Sequence, residues 1–255
     1  MRRPAALITG AAKGIGKQIA ITLAEKGYDI AVNYHTDPQA AKEVCREAES
    51  FGARTLAIYA DMSKVTDIKA MHGQADETFG GVDLVVNNAG ISSEVYFLDA
   101  EEKDFDRMTA IDWKGLYFSS QEAAKNMIAR GIQGVIINIS SNQTDGCWPR
   151  ATIYGPTKAA VSKFTKNAAM ELAGYGIRMA AVAPGYTDVG WEPDDIRWEA
   201  AKRLPFGRFA STREIAEAVA YLASGHAAYI TGTTLTIDGG ATLPVVAAND
   251  FTRCV

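Results

Sequence analysis

A chain of 255 residues is long enough for one α/β domain with a substantial core, and its 47% hydrophobic and 22% charged residues exclude a long disordered tail. The formal net charge of −4 offers no basic surface, so nucleic acid and anionic membranes are not expected partners. The three cysteines, Cys45, Cys147 and Cys254, are too few and too widely spaced for a disulfide framework or a zinc site, and we expect no metal.

Residues 1–4 lead directly into a short apolar strand, without the apolar core of a signal peptide. The pair Arg2-Arg3 likewise lacks the apolar segment of an export signal. No run approaches the roughly 18 apolar residues that a membrane span requires. The sequence therefore predicts a cytoplasmic protein.

The chain opens with a strand, a glycine-rich turn and a helix. The apolar run 5–8 predicts a buried strand, the turn carries glycines spaced as G-x-x-x-G-x-G, and residues 17–26 predict a helix. This arrangement brings backbone N–H groups and the positive end of a helix up to a diphosphate. We therefore predict a dinucleotide site at Gly10, Gly14 and Gly16.

The second predicted strand, residues 29–34, indicates which dinucleotide binds. It ends without the carboxylate that would hold the ribose 2′-hydroxyl of NAD, and Tyr34 and His35 follow instead. Lys13 lies inside the glycine turn, where a cation can pair with a 2′-phosphate. The sequence thus favours NADP(H), with a solvated loop lysine as the alternative interpretation of Lys13.

Strands and helices alternate through the first half of the chain. Asp37-Pro38 begins a helix, the strand 55–60 leads to Asp61-Met62, a helix spans 65–79, and the strand 82–86 leads to Asn87-Asn88-Ala89-Gly90. This alternation predicts an α/β fold with a doubly wound parallel sheet in a single domain, residues 1–255. Ligands of such sheets bind beyond the carboxyl ends of the strands.

The second half carries the groups suited to acid–base chemistry. A helix is predicted over 105–130, a strand over 134–139, and a helix from about Ile153 to Tyr175. Tyr154 and Lys158 then stand at i and i+4 on one face, where the ammonium would lower the pKa of the phenol. Ser141 follows the strand and can fold back over the start of that helix.

The remaining segments are a predicted lid, a helix and a last strand. Residues 186–210 hold Trp191, Trp198 and Phe206 among mixed charges, which predicts a mobile substrate lid with an apolar underside, or else a plain surface loop. Ser211 and Glu214 form a capping box that opens an amphipathic helix, and the last strand is predicted over 233–237. We assign no role to the tail, residues 243–255.

Taken in order, these motifs resemble those of the short-chain dehydrogenase/reductase family over about residues 5–242, and within it the branch that resembles 3-oxoacyl-acyl carrier protein reductases. The resemblance implies a Rossmann-like fold in three layers, usually a homotetramer, that transfers a hydride between nicotinamide and a carbonyl or alcohol carbon. It rests on Thr9-Gly10-x-x-x-Gly14-x-Gly16, Asn87-Asn88-Ala89-Gly90, Ser141, Tyr154-x-x-x-Lys158, Pro184-Gly185, and Thr231-Gly232 to Asp238-Gly239-Gly240.

The resemblance also implies roles for single residues. Tyr154 would protonate the carbonyl oxygen, or take the proton in the reverse direction. Lys158 would lower the pKa of Tyr154 and hold the nicotinamide ribose, and Ser141 would orient the substrate oxygen. The implied cofactor residues are Gly10, Lys13 (2′-phosphate), Gly14, Ile15 (nicotinamide end), Gly16, Tyr34, His35, Asp61 and Met62 (adenine), Asn88, Ala89, Gly90, Tyr154, Lys158, Pro184, Gly185 and Thr187 (carboxamide).

Asp112 is the one departure from the family pattern, which has a catalytic asparagine in the corresponding helix. An ionised aspartate accepts hydrogen bonds but cannot donate them, and its charge would favour protonated Lys158 if the two are close. Asp112 either still holds the helix geometry and a water relay, or weakens proton transfer. We count it among the catalytic residues and expect activity to be retained.

The main prediction is an NADP(H)-dependent carbonyl reductase or alcohol dehydrogenase. A nucleotide-binding sensor or scaffold without turnover is the alternative, favoured by Asp112 alone. An extended-type epimerase or dehydratase fits less well, given the glycine spacing and the lack of a separate substrate domain.

The sequence gives only partial information about the substrate. An acyl-carrier partner would need a basic docking patch, for which the candidates are Arg130, Arg150 and Arg197, although scattered surface charge explains all three better. Four side chains suggest a partly apolar pocket for an aliphatic or aromatic ketone: Trp148, Pro149, Trp191 and Trp198.

Overall fold

Seven parallel strands form the central sheet, in the order β3-β2-β1-β4-β5-β6-β9. A computed structural model describes residues 2–92, 94–192 and 194–243. The strands are β1 (Ala5–Ile8), β2 (Asp29–Tyr34), β3 (Thr55–Tyr59), β4 (Leu84–Asn87), β5 (Val135–Ile139), β6 (Arg178–Pro184), β7 (Thr187–Asp188), β8 (Ala210–Ser211) and β9 (Thr234–Ile237), of which the short β7 and β8 pair separately with each other.

Helices cover both faces of this sheet, as the predicted doubly wound fold requires. They are α1 (Gly14–Glu25), α2 (Pro38–Glu49), α3 (Val65–Phe79), α4 (Glu102–Met108), α5 (Leu116–Arg130), α6 (Tyr154–Leu172), α7 (Trp198–Ala201) and α8 (Thr212–Ala223). Helices α1, α2 and α8 enclose one apolar core, and α3, α5 and α6 enclose the other. The three-layer Rossmann-like prediction is confirmed.

Local sequence signals place several helix ends correctly. Asp37 accepts a hydrogen bond from the Ala40 N–H at 2.8 Å and caps α2, with Pro38 in the first turn. The capping box of Ser211 and Glu214 opens α8 as predicted. Helix α1 begins at Gly14, three residues before its predicted start, because the end of the glycine turn is already helical.

The helix predicted over 105–130 is instead three consecutive segments. Helix α4 is followed by a π-helical segment, Thr109–Gly115, and only then by α5. A side chain on Gly115 would overlap the Met62 carbonyl oxygen, so glycine lets the strand-end loop pack directly against this segment. π-helical turns are rare and are often found at functional sites, and this one carries the buried Asp112.

Of the predicted tail, residues 243–255, all but Leu243 lie outside the described residues. Within the described ranges, the helices are too short or too polar for any to cross a membrane.

The buried His72 is expected to make the fold sensitive to acid. His72 on α3 is 2% exposed, its Nε2 lies 3.0 Å from the Ser119 Oγ, and burial lowers its pKa to about 4. Because an unfolded histidine has a pKa of about 6.5, the unfolded state binds the proton first as the pH falls. Between pH 6.5 and pH 4 this one group should therefore remove about 3 kcal/mol of unfolding free energy.

A histidine variant tests this expectation. Urea unfolding of the parent and of His72→Gln is measured at pH 7 and at pH 4.5, so that the titration of all carboxylates is common to both proteins. The parent should lose about 2 to 3 kcal/mol more than the variant on acidification. Equal losses in the two proteins would show that His72 does not titrate as described.

Candidate active site

The glycine turn meets the loop after β4 at the point where the strand order reverses. Thr9 Oγ1 accepts hydrogen bonds from the Asn88 and Ala89 N–H groups, both at 2.9 Å. Asn88 Nδ2 in turn donates to the Thr9 carbonyl at 2.9 Å and to the Gly10 carbonyl at 3.2 Å. Doubly wound sheets bind their ligands at the point where the strand order reverses. The two segments predicted to bind the cofactor, the glycine turn and the loop after β4, are hydrogen-bonded to each other there.

Two glycines of the turn leave no room for side chains. Gly10 has φ +63°, and a Cβ on it would lie 2.9 Å from the Ala89 Cα. A Cβ on Gly16 would overlap Asn88 Nδ2 and the Gly10 carbonyl oxygen. Helix α1 starts at Gly14 without a side-chain cap and without an acidic residue in its first turn. Its first amide groups are therefore suited to an anion such as a diphosphate.

Asn33 positions the glycine turn, and sequence reasoning did not identify it. Its Oδ1 accepts the Gly10 N–H at 2.9 Å, and its Nδ2 donates to the carbonyls of Ala60 at 3.3 Å and Ile58 at 3.4 Å. The Asn33 carbonyl also accepts the Ala11 N–H at 2.9 Å. One signal in the sequence could have revealed Asn33. It is an asparagine in an otherwise apolar strand, directly before the predicted ribose site.

The end of β2 carries no free carboxylate, as predicted. Asp37 is used to cap α2, Tyr34 packs edge-on against Tyr59 with ring centroids 6.1 Å apart, and His35 is exposed. Lys13 is exposed at the start of α1. Ala11, two residues before Lys13, donates its N–H to the Asn33 carbonyl of β2.

Asp61 and Met62 follow β3. Burial raises the pKa of Asp61, but hydrogen bonds from the Ser63 Oγ at 2.7 Å and backbone N–H at 2.9 Å, together with Lys64, bring that pKa below its usual value. The carboxylate is therefore ionised and already held by its own loop. Met62 is buried in the core beside α3. Ile15 is partly buried against the other core.

Tyr154, Lys158 and Asp112 form the centre of the site. Tyr154 is the first residue of α6, and Lys158 lies one turn later with its Nζ 5.5 Å from the centroid of the Tyr154 ring. Lys158 is 3% exposed, and its Nζ donates to the Ile139 carbonyl at 3.2 Å. The structure therefore brings together the tyrosine and lysine that the sequence pairs on one helix face.

Asp112 contacts Lys158 directly. Its Oδ2 lies 3.1 Å from the Lys158 Nζ, and its Oδ1 accepts the Ile91 N–H at 2.8 Å. Burial lowers the pKa of Lys158, but Tyr154 and Asp112 raise it more, so the net shift is upward and the ammonium stays charged. A Cβ on Gly90 would lie 2.7 Å from Asp112 Oδ2, so glycine is needed for the loop after β4 to pass this ion pair.

Ser141 faces the same region from the end of β5. It caps a single 3₁₀ turn, Asn142–Thr144, and its Oγ accepts the Gln143 N–H at 3.2 Å. The preceding Ser140 instead donates to the Lys158 carbonyl at 2.9 Å and pairs with the Ser162 hydroxyl at 2.8 Å. Ser140 thus holds α6 in place, which leaves Ser141 as the serine suited to a substrate oxygen.

A buried polar network fixes the two strands that carry these loops. Asn87 Nδ2 donates to the Asn138 Oδ1 and the Ser120 Oγ, both at 2.9 Å. Asn138 Nδ2 donates to the Thr165 Oγ1 on α6 at 2.9 Å. The network therefore ties β4 and β5 to α5 and α6. Of these residues only Asn87 belongs to a predicted motif, and no role was predicted for the others.

The loop after β6 closes the other side of the site. A Cβ on Gly185 would lie 2.6 Å from the Asp238 Cβ, and the Gly185 N–H donates to the Ile237 carbonyl at 2.9 Å. Pro184 ends β6, and the buried Thr187 donates to the Gly185 carbonyl at 3.1 Å. A cavity of about 340 Å³ lies between the first turn of α1 and the segment that follows Thr187.

The predicted lid has an aromatic underside, centred on Phe209. Tyr186 and Trp198 stack on Phe209 with centroids 5.3 and 5.1 Å apart, and Trp191 packs edge-on against it at 5.2 Å. Trp148 Nε1 donates to the Tyr186 hydroxyl at 2.9 Å and ties the lid to the loop after β5. Phe206 is 71% exposed, so the expectation that it belongs to the underside is wrong.

The three arginines considered for carrier docking each lie beside a carboxylate. Arg150 pairs with Glu94 at 2.8 Å, Arg130 lies 3.8 Å from Asp76, and Arg197 pairs with Asp195 while covering the Trp191 ring at 4.2 Å. Paired charges of this kind present little net positive field. The geometry therefore gives the docking hypothesis no support.

Comparison with known proteins agrees with this geometry. A protein-family model described as enoyl-(acyl carrier protein) reductase matches residues 10–242. The chain is 39% identical over 240 residues to the 3-oxoacyl-[acyl-carrier-protein] reductase FabG of Staphylococcus aureus, with 92% of this chain and 96% of the relative covered. It is 34% identical over 242 residues to 3beta-hydroxysteroid dehydrogenase 1 of Eggerthella lenta, with 93% of each covered.

Solved structures show the same similarity. A short-chain dehydrogenase/reductase from Serratia marcescens superposes with a TM-score of 0.89 at 32% identity, covering 94% of this chain and 98% of that one. The acetoin dehydrogenase YohF from Salmonella typhimurium superposes with a TM-score of 0.90 at 35% identity, covering 97% and 99%.

Proposed function

We propose that this chain, which belongs to the short-chain dehydrogenase/reductase family, reduces small ketones with NADPH. The broader activity follows from the family: the chain is an oxidoreductase that transfers a hydride between a nicotinamide cofactor and a carbonyl or alcohol carbon. The observation that carries the proposal is the pair of Tyr154 and Lys158 on α6, with Ser141 just after β5 and with a glycine turn whose helix α1 begins without a side-chain cap.

Each residue of the cluster has a distinct part in ketone reduction. Bound NADPH would supply the hydride that adds to the carbonyl carbon. The Tyr154 hydroxyl gives its proton to the carbonyl oxygen as the carbon–oxygen double bond becomes an alcohol. The Ser141 hydroxyl donates a hydrogen bond to that oxygen and orients it. The charged Lys158 stabilises the negative charge left on Tyr154, and the reverse sequence oxidises an alcohol.

Asp112 is compatible with turnover. It contacts Lys158 without displacing it from Tyr154, and its carboxylate keeps the loop after β4 in place through Ile91. The alternative of a scaffold without turnover therefore has no observation in its favour beyond the substitution itself.

The preference for NADPH rests on charge at the ribose edge. Asp37 caps α2, and Lys13 is exposed at the start of α1, two residues after the Ala11 N–H that bonds to β2. A 2′-phosphate would meet a cation there rather than a carboxylate. The glycine turn and the uncapped α1 fit the diphosphate of either cofactor, so the choice depends on this edge alone.

Lys13→Ala is expected to raise KM for NADPH about tenfold and to leave KM for NADH unchanged, because one charge-assisted contact to the 2′-phosphate is lost. Both constants are measured by nicotinamide absorbance at fixed ketone. Lys26→Ala, at the other end of α1 and also exposed, is the matched control. A parent protein that prefers NADH, or an equal change for both cofactors, would contradict the NADPH proposal.

A small ketone fits the site better than a carrier-bound acyl chain. Relatives of this chain are named for reactions on 3-oxoacyl-carrier proteins, acetoin and a hydroxysteroid, so the family resemblance alone does not choose among them. Trp148 and Tyr186, hydrogen-bonded to each other after β5 and β6, offer aromatic surface to a small ketone, and the candidate docking arginines Arg150 and Arg197 are paired.

A homotetramer is part of the proposal, with α5 and α6 as its contact surface. Tyr117 and Ile128 on α5 and Met170 on α6 are exposed apolar side chains, and Met170 is 84% exposed. Trp113 in the π-helical segment, Tyr117 on α5 and Phe164 on α6 form one aromatic cluster. Apolar surface of this kind is typical of an interface between copies.

The test of the proposed function is an absorbance assay with NADPH and NADH against ketones, β-ketoesters and sugars. Consumption of NADPH with at least one small ketone is the expected result. A protein that binds NADPH yet consumes none with any compound would contradict it.

A further inference from the structure

Arg150 has a backbone conformation that residues other than glycine rarely adopt. Its φ is +63°, and in the part of the chain that the structure describes no other non-glycine residue has a positive φ. Such a conformation costs free energy for a residue with a side chain, and it persists only where the surrounding structure holds it. Arg150 lies in the loop that joins Ser141 to Tyr154, four positions before the tyrosine.

Two side chains of the loop after β4 hold the Arg150 guanidinium. Its Nη2 lies 2.8 Å from the Glu94 Oε2, and its Cζ lies 5.8 Å from the centroid of the Tyr96 ring. The side chains of Arg150 and Glu94 are 44% and 69% exposed, and ion pairs as exposed as this contribute little to the stability of a fold. The unfavourable backbone conformation is therefore better explained by what the two joined loops carry.

The chain after Arg150 leads directly into the first turn of α6. The Ala151 carbonyl accepts the Gly155 N–H at 2.9 Å, so the residue after Arg150 is bonded to the residue after the catalytic tyrosine. Tyr154 is itself the first residue of α6, and its N-cap, Ile153, supplies no side-chain hydrogen bond. The backbone turn at Arg150 therefore determines how the chain reaches Tyr154.

The loop on the other side of the ion pair is anchored beside Lys158. Glu94 lies three positions after Ile91, whose N–H donates to the Asp112 Oδ1 at 2.8 Å. The other oxygen of Asp112 lies 3.1 Å from the Lys158 Nζ. The ion pair thus joins a loop that is held next to the catalytic lysine to the segment that ends at Tyr154. Proton transfer depends on how precisely the reacting groups are placed.

We propose that Arg150 and Glu94 are positioning residues for ketone reduction, because their ion pair holds the Tyr154 hydroxyl in the place from which it gives its proton to the carbonyl oxygen. This inference rests on the proposed function, since it concerns the proton donor of that same reaction. A catalytic group displaced by about 1 Å can lower a rate about a hundredfold. The loop keeps its hydrogen bond from Trp148 to Tyr186, so loss of the ion pair should lower kcat less than this.

A double-mutant cycle in kcat, at saturating ketone and NADPH, tests this role. Arg150→Asn removes the guanidinium and tolerates a positive φ, and Glu94→Ala removes the carboxylate. Each single variant is expected to lower kcat about tenfold, and the double variant should lower it no further, because both changes break the same contact. Arg150→Lys keeps the charge and should retain most of kcat. Quenching of tryptophan fluorescence by NADPH should match that of the parent in every variant, which shows that the variants fold.

Arg213→Ala is the matched control. The Arg213 side chain is also 44% exposed, and its ion pair with Glu25 joins α8 to the end of α1. Its kcat should equal that of the parent. Single variants with the kcat of the parent, losses that add in the double variant, or an Arg150→Lys variant as slow as Arg150→Asn would each overturn the proposal. Failure of the proposed function is distinguishable, because the parent itself would then consume NADPH with no ketone.

Discussion

Replacing Tyr154 with phenylalanine is expected to lower kcat for ketone reduction about a thousandfold while NADPH still binds, because the proton donor is removed and the ring that packs near Lys158 is kept. The loss should appear in kcat rather than in KM, since the hydroxyl acts in proton transfer and contributes little to ground-state binding. Nicotinamide absorbance under saturating ketone measures the first quantity, and quenching of tryptophan fluorescence by NADPH measures the binding.

Tyr175→Phe is the matched control for this prediction. Tyr175 lies in the 3₁₀ turn directly after α6, is exposed, and loses the same hydroxyl without touching the site. Its kcat should equal that of the parent. Comparable turnover in Tyr154→Phe and Tyr175→Phe would mean that another group supplies the proton.

Changing Asp112 should have the second largest effect, because the carboxylate is itself buried and has two partners, Lys158 and the Ile91 N–H. Asp112→Ala leaves the Lys158 ammonium without its counter-charge and the Ile91 N–H without an acceptor. Removing one partner of a buried ion pair costs about 3 to 5 kcal/mol. Urea unfolding should show a loss of that size, together with loss of most activity, and an alanine variant as stable as the parent would contradict the described contact.

Asp112→Asn separates charge from geometry in the same pair. Asparagine can still accept the Ile91 N–H but no longer raises the pKa of Lys158, so the ammonium should lose its proton at lower pH than in the parent. The alkaline limb of kcat/KM for ketone reduction is therefore expected to move to lower pH. If turnover and pH profile both stay as in the parent, the charge of Asp112 has no part in proton transfer.

Contacts between residues close in the chain were predictable. Tyr154 and Lys158 are brought together by the helix repeat alone, and the glycine turn is flagged by a strand before it and a helix after it. The parallel sheet follows from the alternation of elements. Because all these signals are local, no knowledge of packing was needed.

Contacts between distant segments were not predictable. Asn33 and the pair Asn87–Asn138 find their partners only when strands align, so a single amide in an apolar strand does not reveal its role. The ion pair of Asp112 and Lys158 was expected only on the condition that α6 and the preceding helix come close. The π-helical segment Thr109–Gly115 escaped prediction because its apolar spacing differs too little from that of an α-helix.

The lid illustrates the same limit. The sequence shows that residues 186–210 are rich in aromatic side chains. It does not show which of these side chains point inward, because that depends on the backbone conformation of the segment. Phe209 is 4% exposed and forms the centre of the cluster, whereas Phe206 faces solvent. That distinction depends on β7 and β8 pairing, Thr187 with Ala210, which fixes which side of the segment points inward.

Transfer of deuterium from NADPH labelled at the transferable hydrogen of the nicotinamide ring tests the central claim most directly. Mass spectrometry of the alcohol formed from a small ketone should show one deuterium at the former carbonyl carbon with the parent and with Tyr175→Phe, whereas Tyr154→Phe should form only traces of the labelled alcohol. Unlabelled alcohol from the parent, or equal labelling with Tyr154→Phe, would contradict hydride transfer assisted by this tyrosine.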